Sequence, residues 1–285
     1  MNAVPPGTPV ALNNTLETAA QHRFGLPAER WSRLQGKWFW ITGAGTGYGR
    51  SITLALMAAG ANFVLSSRRS HVLQAVIDEG KVLGFAVGEC LIRPLDLNLP
   101  EQIEAACEEI NRLTGNDGLT GLVHCSAKPP PGSRWPSTDE SWNDWDAIMN
   151  PNVRAPWHMV RNVFPALERN GHPRIVFLGS ESGWHGGHCA GLYGVSKAAL
   201  NNLVQTLSDE YGARYPELDL QLNLLEPGEA RTEMNTGSPN SPNTVICMAL
   251  LLLSQPEGGP RGRFFHRDGR HLRFGHSPPY DKSLV

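Results

Sequence analysis

An apolar run stops at Thr42, four glycines follow within residues 43–49, and an amphipathic segment then begins: ITGAGTGYGRSITLALMAAGA, residues 41–61. Glycine at that density costs conformational entropy on folding, so the chain must need bare backbone there. A strand that turns into a helix through such a loop leaves helix N-terminal N–H groups facing outward, where a phosphate can bind. A tight turn without a ligand is the other reading of the same residues. Either way, strand, glycine turn and helix are fixed in that order.

The rest of the chain repeats the alternation. KWFWITG, NFVLSS, LIRPLDL, GLTGLVHCSA, PRIVFLGS, LDLQLNLLEPG and GRFFHRDG read as strands. Between them lie helical patterns over residues 50–59, 71–84, 100–115, 157–168, 193–211 and 244–254, the third opening on proline and closing on glycine. Strands alternating with helices predict an α/β Rossmann fold, a doubly wound parallel sheet of about seven strands. No internal repeat or linker divides the chain. We expect an N-terminal extension over 1–36, partly ordered and with one short helix over 14–23, one domain over 37–275, and a tail over 276–285.

Composition excludes several partners. A formal net charge of −2 over 285 residues gives no electrostatic reason to bind nucleic acid or an anionic membrane. The longest apolar run, residues 245–253, is too short to span a bilayer, and the N-terminus lacks the pattern of a secretory signal. Five dispersed cysteines (90, 107, 125, 189 and 247) suggest buried thiols in a reducing, cytoplasmic compartment. No His/Asp/Glu spacing suggests a metal.

The glycine loop lies where a dinucleotide fingerprint must lie, after the first core strand and opening the first helix. There Gly43 permits the tight turn, Gly47 admits a pyrophosphate, and Gly49 lets helix and strand pack closely. Farther along, GSESGWHGGHCAGLYGVSKAAL contains Tyr193 and Lys197, whose four-residue spacing puts both side chains on one helix face. A lysine ammonium beside a phenol favours the phenolate, so Tyr193 becomes a usable acid or base nearer neutrality. Ser180, thirteen residues earlier at a strand end, can hydrogen-bond the substrate oxygen that Tyr193 protonates.

On these motifs the chain resembles the short-chain dehydrogenase/reductase superfamily, in its single-domain group with a TGxxxGxG loop and YxxxK, over residues 37–269. The resemblance implies a catalytic set of Asn152, Ser180, Tyr193 and Lys197. Tyr193 would be the general acid/base and Ser180 would orient the substrate oxygen. Lys197 would bind the nicotinamide ribose and lower the tyrosine pKa, and Asn152 would hold a water of the proton relay; read alone, Asn152 is a helix N-cap after Pro151. It further implies cofactor contacts from Gly43, Thr46, Gly47, Tyr48, Asp96, Pro227, Gly228 and Thr232. A homodimer or homotetramer is the family habit.

At the end of the second strand, where an acidic residue would favour NAD, the chain has Ser67 followed by Arg68 and Arg69. Serine admits a 2′-phosphate and a guanidinium can bind it bidentately, which favours NADP(H), with NAD(H) as the alternative. Two departures from the family pattern stand out. HCSA (124–127) replaces NNAG, so His124 stands where an asparagine ties the sheet and Ala127 where a glycine meets the cofactor. The stretch after Thr232 is short and polar, and Glu181, His185, His188 and Glu229 are polar candidates to line the substrate pocket. We therefore expect an NADP(H)-dependent oxidoreductase acting on a secondary alcohol or ketone of a polar, sugar-like substrate. The alternatives are an NAD-dependent sugar or nucleotide-sugar dehydrogenase or epimerase, and a non-catalytic dinucleotide-binding protein. The tryptophans of residues 128–149 are expected to pack inside, beneath a proline-rich loop.

Overall fold

The computed structural model describes residues 15–129, 141–184 and 190–273. β1 (Trp38–Thr42) is buried at every position, the continuous apolar run of a strand covered on both faces. Its side chains alternate: Phe39 and Ile41 enter one apolar layer, Trp38 and Trp40 the other. The indole N–H of the fully buried Trp40 donates to Ser66 Oγ at 3.0 Å, so no polar group is stranded there.

The chain then alternates as expected: α3 (Gly47–Ala58), β2 (Asn62–Ser66), α4 (Ser70–Val82), β3 (Cys90–Ile92), α5 (Pro100–Leu113) and β4 (Gly121–His124). α6 (Trp142–Met149) runs through a π-helical turn (Asn150–Arg154) into α7 (Ala155–Asn170), and β5 (Arg174–Leu178) follows. The remainder is α8 (Gly191–Arg214), β6 (Gln221–Glu226), α9 (Ile246–Leu253), β7 (Phe264–His266) and β8 (His271–Leu272). The sheet order is β3-β2-β1-β4-β5-β6-β7-β8, with every pairing parallel except β7–β8. The order reverses between β1 and β4, so a crevice for a ligand opens at their C-terminal ends.

Among the described residues the sheet has eight strands where about seven were expected. After His266 the chain turns back at Gly269 (φ 90°), and His266 N–H donates to Arg270 carbonyl at 2.8 Å, adding β8 as an antiparallel edge. The N-terminal stretch is also better packed than its composition suggested. α1 (Leu16–Gln21) and α2 (Ala28–Ser32) form, and Phe24, Leu26 and Leu34 are buried in the layer that holds α9. Arg30 Nη2 reaches the Leu251 carbonyl at 2.6 Å. Interior packing of the tryptophan stretch is not what forms: Trp142 is 80% exposed and Trp145 41%, while Trp135 lies outside the described residues. A capping box on Ser141 and Asp144 starts α6.

The first crossover is set by contact between bare backbones. A Cβ built on Gly49 would lie 2.1 Å from the Gly43 carbonyl oxygen, inside α3's first turn. Gly49→Ala should therefore destabilise the fold by about 1–3 kcal/mol, the usual cost of overpacking, read as a fall in the urea midpoint at constant m. An unchanged midpoint would refute this packing.

Candidate active site

The site is built first by a turn. Ser180, in extended backbone after β5, caps the single 3₁₀ turn Glu181–Gly183, its Oγ accepting the Ser182 N–H at 3.2 Å. A Cβ on Gly183 would come within 2.7 Å of the Lys197 carbonyl carbon, so the turn lies directly on the α8 backbone. Asn201 Nδ2 fastens it by donating to the Gly183 carbonyl at 3.1 Å. α8 thereby presents Tyr193 and Lys197, one helical turn apart, to the end of β5. The Tyr193 hydroxyl hydrogen-bonds the Ser180 side chain. Lys197 is 2% exposed, donates from Nζ to the Leu178 carbonyl at 2.9 Å, and lies 5.6 Å from the centre of the Tyr193 ring.

Electrostatics depart from expectation here. Burial pushes the Tyr193 phenol up to about 12; its bond with Ser180 pulls the other way, and the Glu226 carboxylate adds to the rise. Burial draws Lys197 down to about 8, against the opposing pull of Cys125. The lysine is thus spent on holding its own charge with a single carbonyl, and desolvation decides the tyrosine.

Asn152 is fully buried inside the π turn and caps no helix. Its Oδ1 accepts the Lys128 N–H at 2.7 Å, and its Nδ2 donates to the Lys128 carbonyl (3.1 Å) and Ser196 Oγ (2.9 Å). Ser196 Oγ in turn donates to the Tyr193 carbonyl at 2.7 Å. The asparagine side chain is therefore a clamp between the segment after β4 and the start of α8.

On the glycine side, Gly43 adopts φ 67°, and a Cβ there would meet Ser126 N at 2.9 Å, so the HCSA backbone packs straight onto the loop. His124 takes over the tie between strands, its Nδ1 lying 2.9 Å from Thr42 Oγ1. Burial brings this imidazole down to about 3, so it is neutral, and Lys197 adds to the effect. Thr46 precedes α3 in extended backbone and Gly47 turns with φ 53°. A Cβ on Gly47 would approach the Thr232 methyl to 3.0 Å, and the Tyr48 hydroxyl donates to the Gly228 carbonyl. Gly43, Thr46, Gly47, Tyr48, Gly228 and Thr232 are thus brought together from both sides of the crevice. Its floor of bare backbone, which a Cβ would fill, fits the close approach of a dinucleotide pyrophosphate.

The chain matches the short-chain dehydrogenase family profile over residues 37–242. It belongs to the short-chain dehydrogenase family. Its activity class is accordingly NAD(P)(H)-dependent oxidoreduction. It is 30% identical to a tropinone reductase homolog of Arabidopsis thaliana over 193 residues, 65% of each chain, just under two thirds of that relative. It is 29% identical to a 3-oxoacyl-[acyl-carrier-protein] reductase of Escherichia coli over 70% of this chain and 76% of the other. Among solved structures, a short chain dehydrogenase from Pseudomonas syringae superposes with a TM-score of 0.74 at 28% identity, over 83% of this chain and 96% of that one. One from Escherichia coli CFT073, complexed with NADPH, gives 0.73 at 24% identity, over 83% and 98%, a likeness of fold.

Around this short-chain dehydrogenase crevice, Ser67 Oγ accepts the Arg69 N–H at 3.2 Å, and Arg68 is exposed with no ion pair among the described residues. Arg69 instead reaches across the crevice to both carboxylate oxygens of Glu233, at 3.0 and 2.7 Å. The Asp96 carboxylate accepts the Asn98 N–H in a local turn, while its neighbour Leu95 N–H donates to the Ser67 carbonyl at the end of β2. Arg267 Nη1 donates to the carbonyls of Pro227 (3.1 Å) and Glu229 (3.0 Å), bracing the loop after β6. Glu181 and Glu229 are exposed; His185 and His188 lie outside the described residues. Sequence reasoning missed Glu226, Glu233, His266 and Arg267. Glu226 stands immediately before the proline and glycine of the NxxxPG segment, a local signal that was available; the others join only across the fold.

The depressed Lys197 fixes a pH dependence. Between about pH 8 and 10.5 the unfolded chain holds the lysine proton and the folded chain does not, so folding stability contributed by this group rises with pH. Relative to Lys197→Met, the wild type should gain about 3 kcal/mol across that window, measured by urea unfolding at stepped pH. Parallel pH profiles would show that the amine is not desolvated.

Proposed function

We propose that the chain moves hydride between NADP(H) and a secondary alcohol or ketone on a polar, sugar-like substrate. The observation that supports this most is the convergence of Ser180, Tyr193 and Lys197 beside the bare-backbone floor of the glycine loop. When bound, the cofactor supplies or accepts the hydride at nicotinamide C4. For a ketone, the Tyr193 O–H donates its proton to the carbonyl oxygen as that oxygen becomes an alcohol, and Ser180 Oγ–H donates a hydrogen bond to the same oxygen. In the oxidative direction the phenolate accepts that proton. The rise of Tyr193 to about 12 suits a group that must hold a proton until one is demanded. Lys197, one helical turn away with its Nζ 5.6 Å from the centre of the Tyr193 ring, contacts the nicotinamide ribose. Asn152 acts through Ser196 in setting where α8 begins.

Gly43, Thr46, Gly47 and Tyr48 take the pyrophosphate side, Asp96 the adenine side, and Pro227, Gly228 and Thr232 the nicotinamide side. Ser67 leaves room for a 2′-phosphate and exposed Arg68 receives it, with Arg69 already engaged by Glu233. NADPH in the Escherichia coli CFT073 structure supports the same preference. A polar substrate is supported by Glu181 and Glu229 on the rim, and by likeness to a 2-dehydro-3-deoxy-D-gluconate 5-dehydrogenase of Bacillus subtilis (26% identical over 70% of this chain and 73% of that one). The reading extends to one catalytic domain over 37–275 working as a cytoplasmic homodimer or homotetramer. Among the described residues no helix is long and apolar enough to cross a membrane.

Tyr193→Phe should lower kcat by roughly 10²–10⁴-fold with cofactor affinity retained; unchanged turnover would overturn the acid/base assignment. Arg68→Ala should raise the KM for NADPH about tenfold or more and leave that for NADH nearly unchanged. Tighter NADH than NADPH binding by the wild type would favour the NAD-dependent sugar dehydrogenase reading instead.

A further inference from the structure

Three groups from distant parts of the chain converge beside the site. Glu181 follows Ser180, Glu226 ends β6 and His266 ends β7, and their ligand atoms all lie within 4.8 Å of one another. They line an open cavity of about 380 Å³. Glu226 is 2% exposed. Its Oε1 accepts the Gly228 N–H at 2.9 Å, whereas its buried Oε2 accepts no hydrogen bond and lies 3.3 Å from His266 Nε2. On the far side of the ring, His266 Nδ1 lies 2.8 Å from Asp268 Oδ1.

That last contact orders the imidazole. The Asp268 Oδ1 contact at 2.8 Å is the nearest to Nδ1, ahead of the Asp268 N–H (3.4 Å) and Arg270 Nη2 (3.3 Å), and a proton held on Nδ1 would satisfy it. With the proton on Nδ1, Nε2 offers its lone pair to Oε2. A lone pair on Nε2 facing the unbonded Oε2 at 3.3 Å leaves room between them for a metal ion or a second proton. We propose that Glu181, Glu226 and His266 bind a divalent transition-metal ion of the zinc type.

The Nε2–Oε2 spacing fits, since nitrogen and oxygen ligands at ~2.0–2.1 Å around a tetrahedral ion stand ~3.3 Å apart, and exposed Glu181 would close in from within 4.8 Å. The supporting shell is in place: Asp268 orients the histidine through its other nitrogen, and the Gly228 N–H orients Glu226. One imidazole and two carboxylates make a three-ligand set with a position left open toward the cavity, as zinc sites have. Magnesium and calcium take six or more oxygens instead. Arg270 and Arg273 also line the cavity; Arg270 is paired to Asp268 Oδ2 at 2.8 Å, and Arg267, which also acts on Glu226, is engaged by the carbonyls of Pro227 and Glu229. The competing occupant is a second proton on His266, bridging Glu226 and Asp268 as an imidazolium. The ion site does not depend on which cofactor or substrate the crevice takes.

The test uses the untagged full-length protein, stripped with a chelator and dialysed into metal-free buffer. Titration with Zn²⁺ should show one ion bound per chain with a rise in Tm, and Co²⁺ should give the intense visible absorption of a four-coordinate site. Mg²⁺ should do neither. Glu226→Gln and His266→Gln should abolish stoichiometric uptake while far-UV circular dichroism reports an intact fold. Asp268→Asn, which removes no ligand from a partly exposed position, should weaken Zn²⁺ about 10–100-fold; it keeps the test decisive if the buried substitutions unfold the chain. Absence of stoichiometric Zn²⁺ uptake, or uptake undiminished in all three variants, would overturn the site and leave the imidazolium bridge.

Discussion

Everything in this molecule is hung on a few places where backbone meets backbone without a side chain between. The turn after β1 lies against the first turn of α3 at Gly49 and against the chain leaving β4 at Ser126, and a single Cβ at either glycine would collide with main chain. The reversal of strand order therefore opens over bare peptide. At such a point N–H groups and a helix end are available to a ligand, and the residues that follow each neighbouring strand are drawn to one rim. The same device recurs at Gly183, where contact with Lys197 seats the Ser180 turn on α8.

Given that frame, polar groups hold the reacting side chains by tying elements together. Asn152 and Ser196 run from the segment after β4 to the Tyr193 carbonyl, Asn201 reaches back to Gly183, and His124 links β4 to β1 through Thr42. All are buried, so each bond is made in a low-dielectric interior where an unmade one would be costly. The histidine shows how a departure from the family pattern is absorbed. Its ring makes the strand-to-strand bond that the amide would have made, and burial keeps it uncharged beside Lys197. Charge at the centre follows from the same burial, which moves Tyr193 upward and Lys197 downward together.

The loop after β6 joins the two halves of the crevice. Arg267 braces its start, Thr232 rests on Gly47, and Glu233 crosses to Arg69 at the end of β2. The Arg69–Glu233 pair is about half exposed, so it holds the loop weakly and is screened by salt. The brace by Arg267 rests on carbonyls and does not depend on that pair.

The sequence by itself determined the alternation of strands and helices, the glycine loop, and the pairing of Tyr193 with Lys197. Each of these is local: an apolar period, a run of glycines, a four-residue spacing on one helix face. It also put Ser180 after the fifth strand and Asn152 ahead of the helix that precedes that strand, though not the use of Asn152 as a clamp. Tertiary structure alone decided what depends on distant segments sharing one volume. The phenol shift is set by burial and by Glu226, thirty-three residues on; Arg69 meets Glu233 across 164 residues; Glu181, Glu226 and His266 meet from the ends of three adjacent strands. No spacing in the chain encodes those meetings, because a parallel sheet places side by side strand ends that are separated by whole helices. The outward tryptophans of α6 and the return strand β8 escaped for a related reason. Apolar character says that a residue prefers burial, and only the packed fold says whether a partner surface is there to receive it.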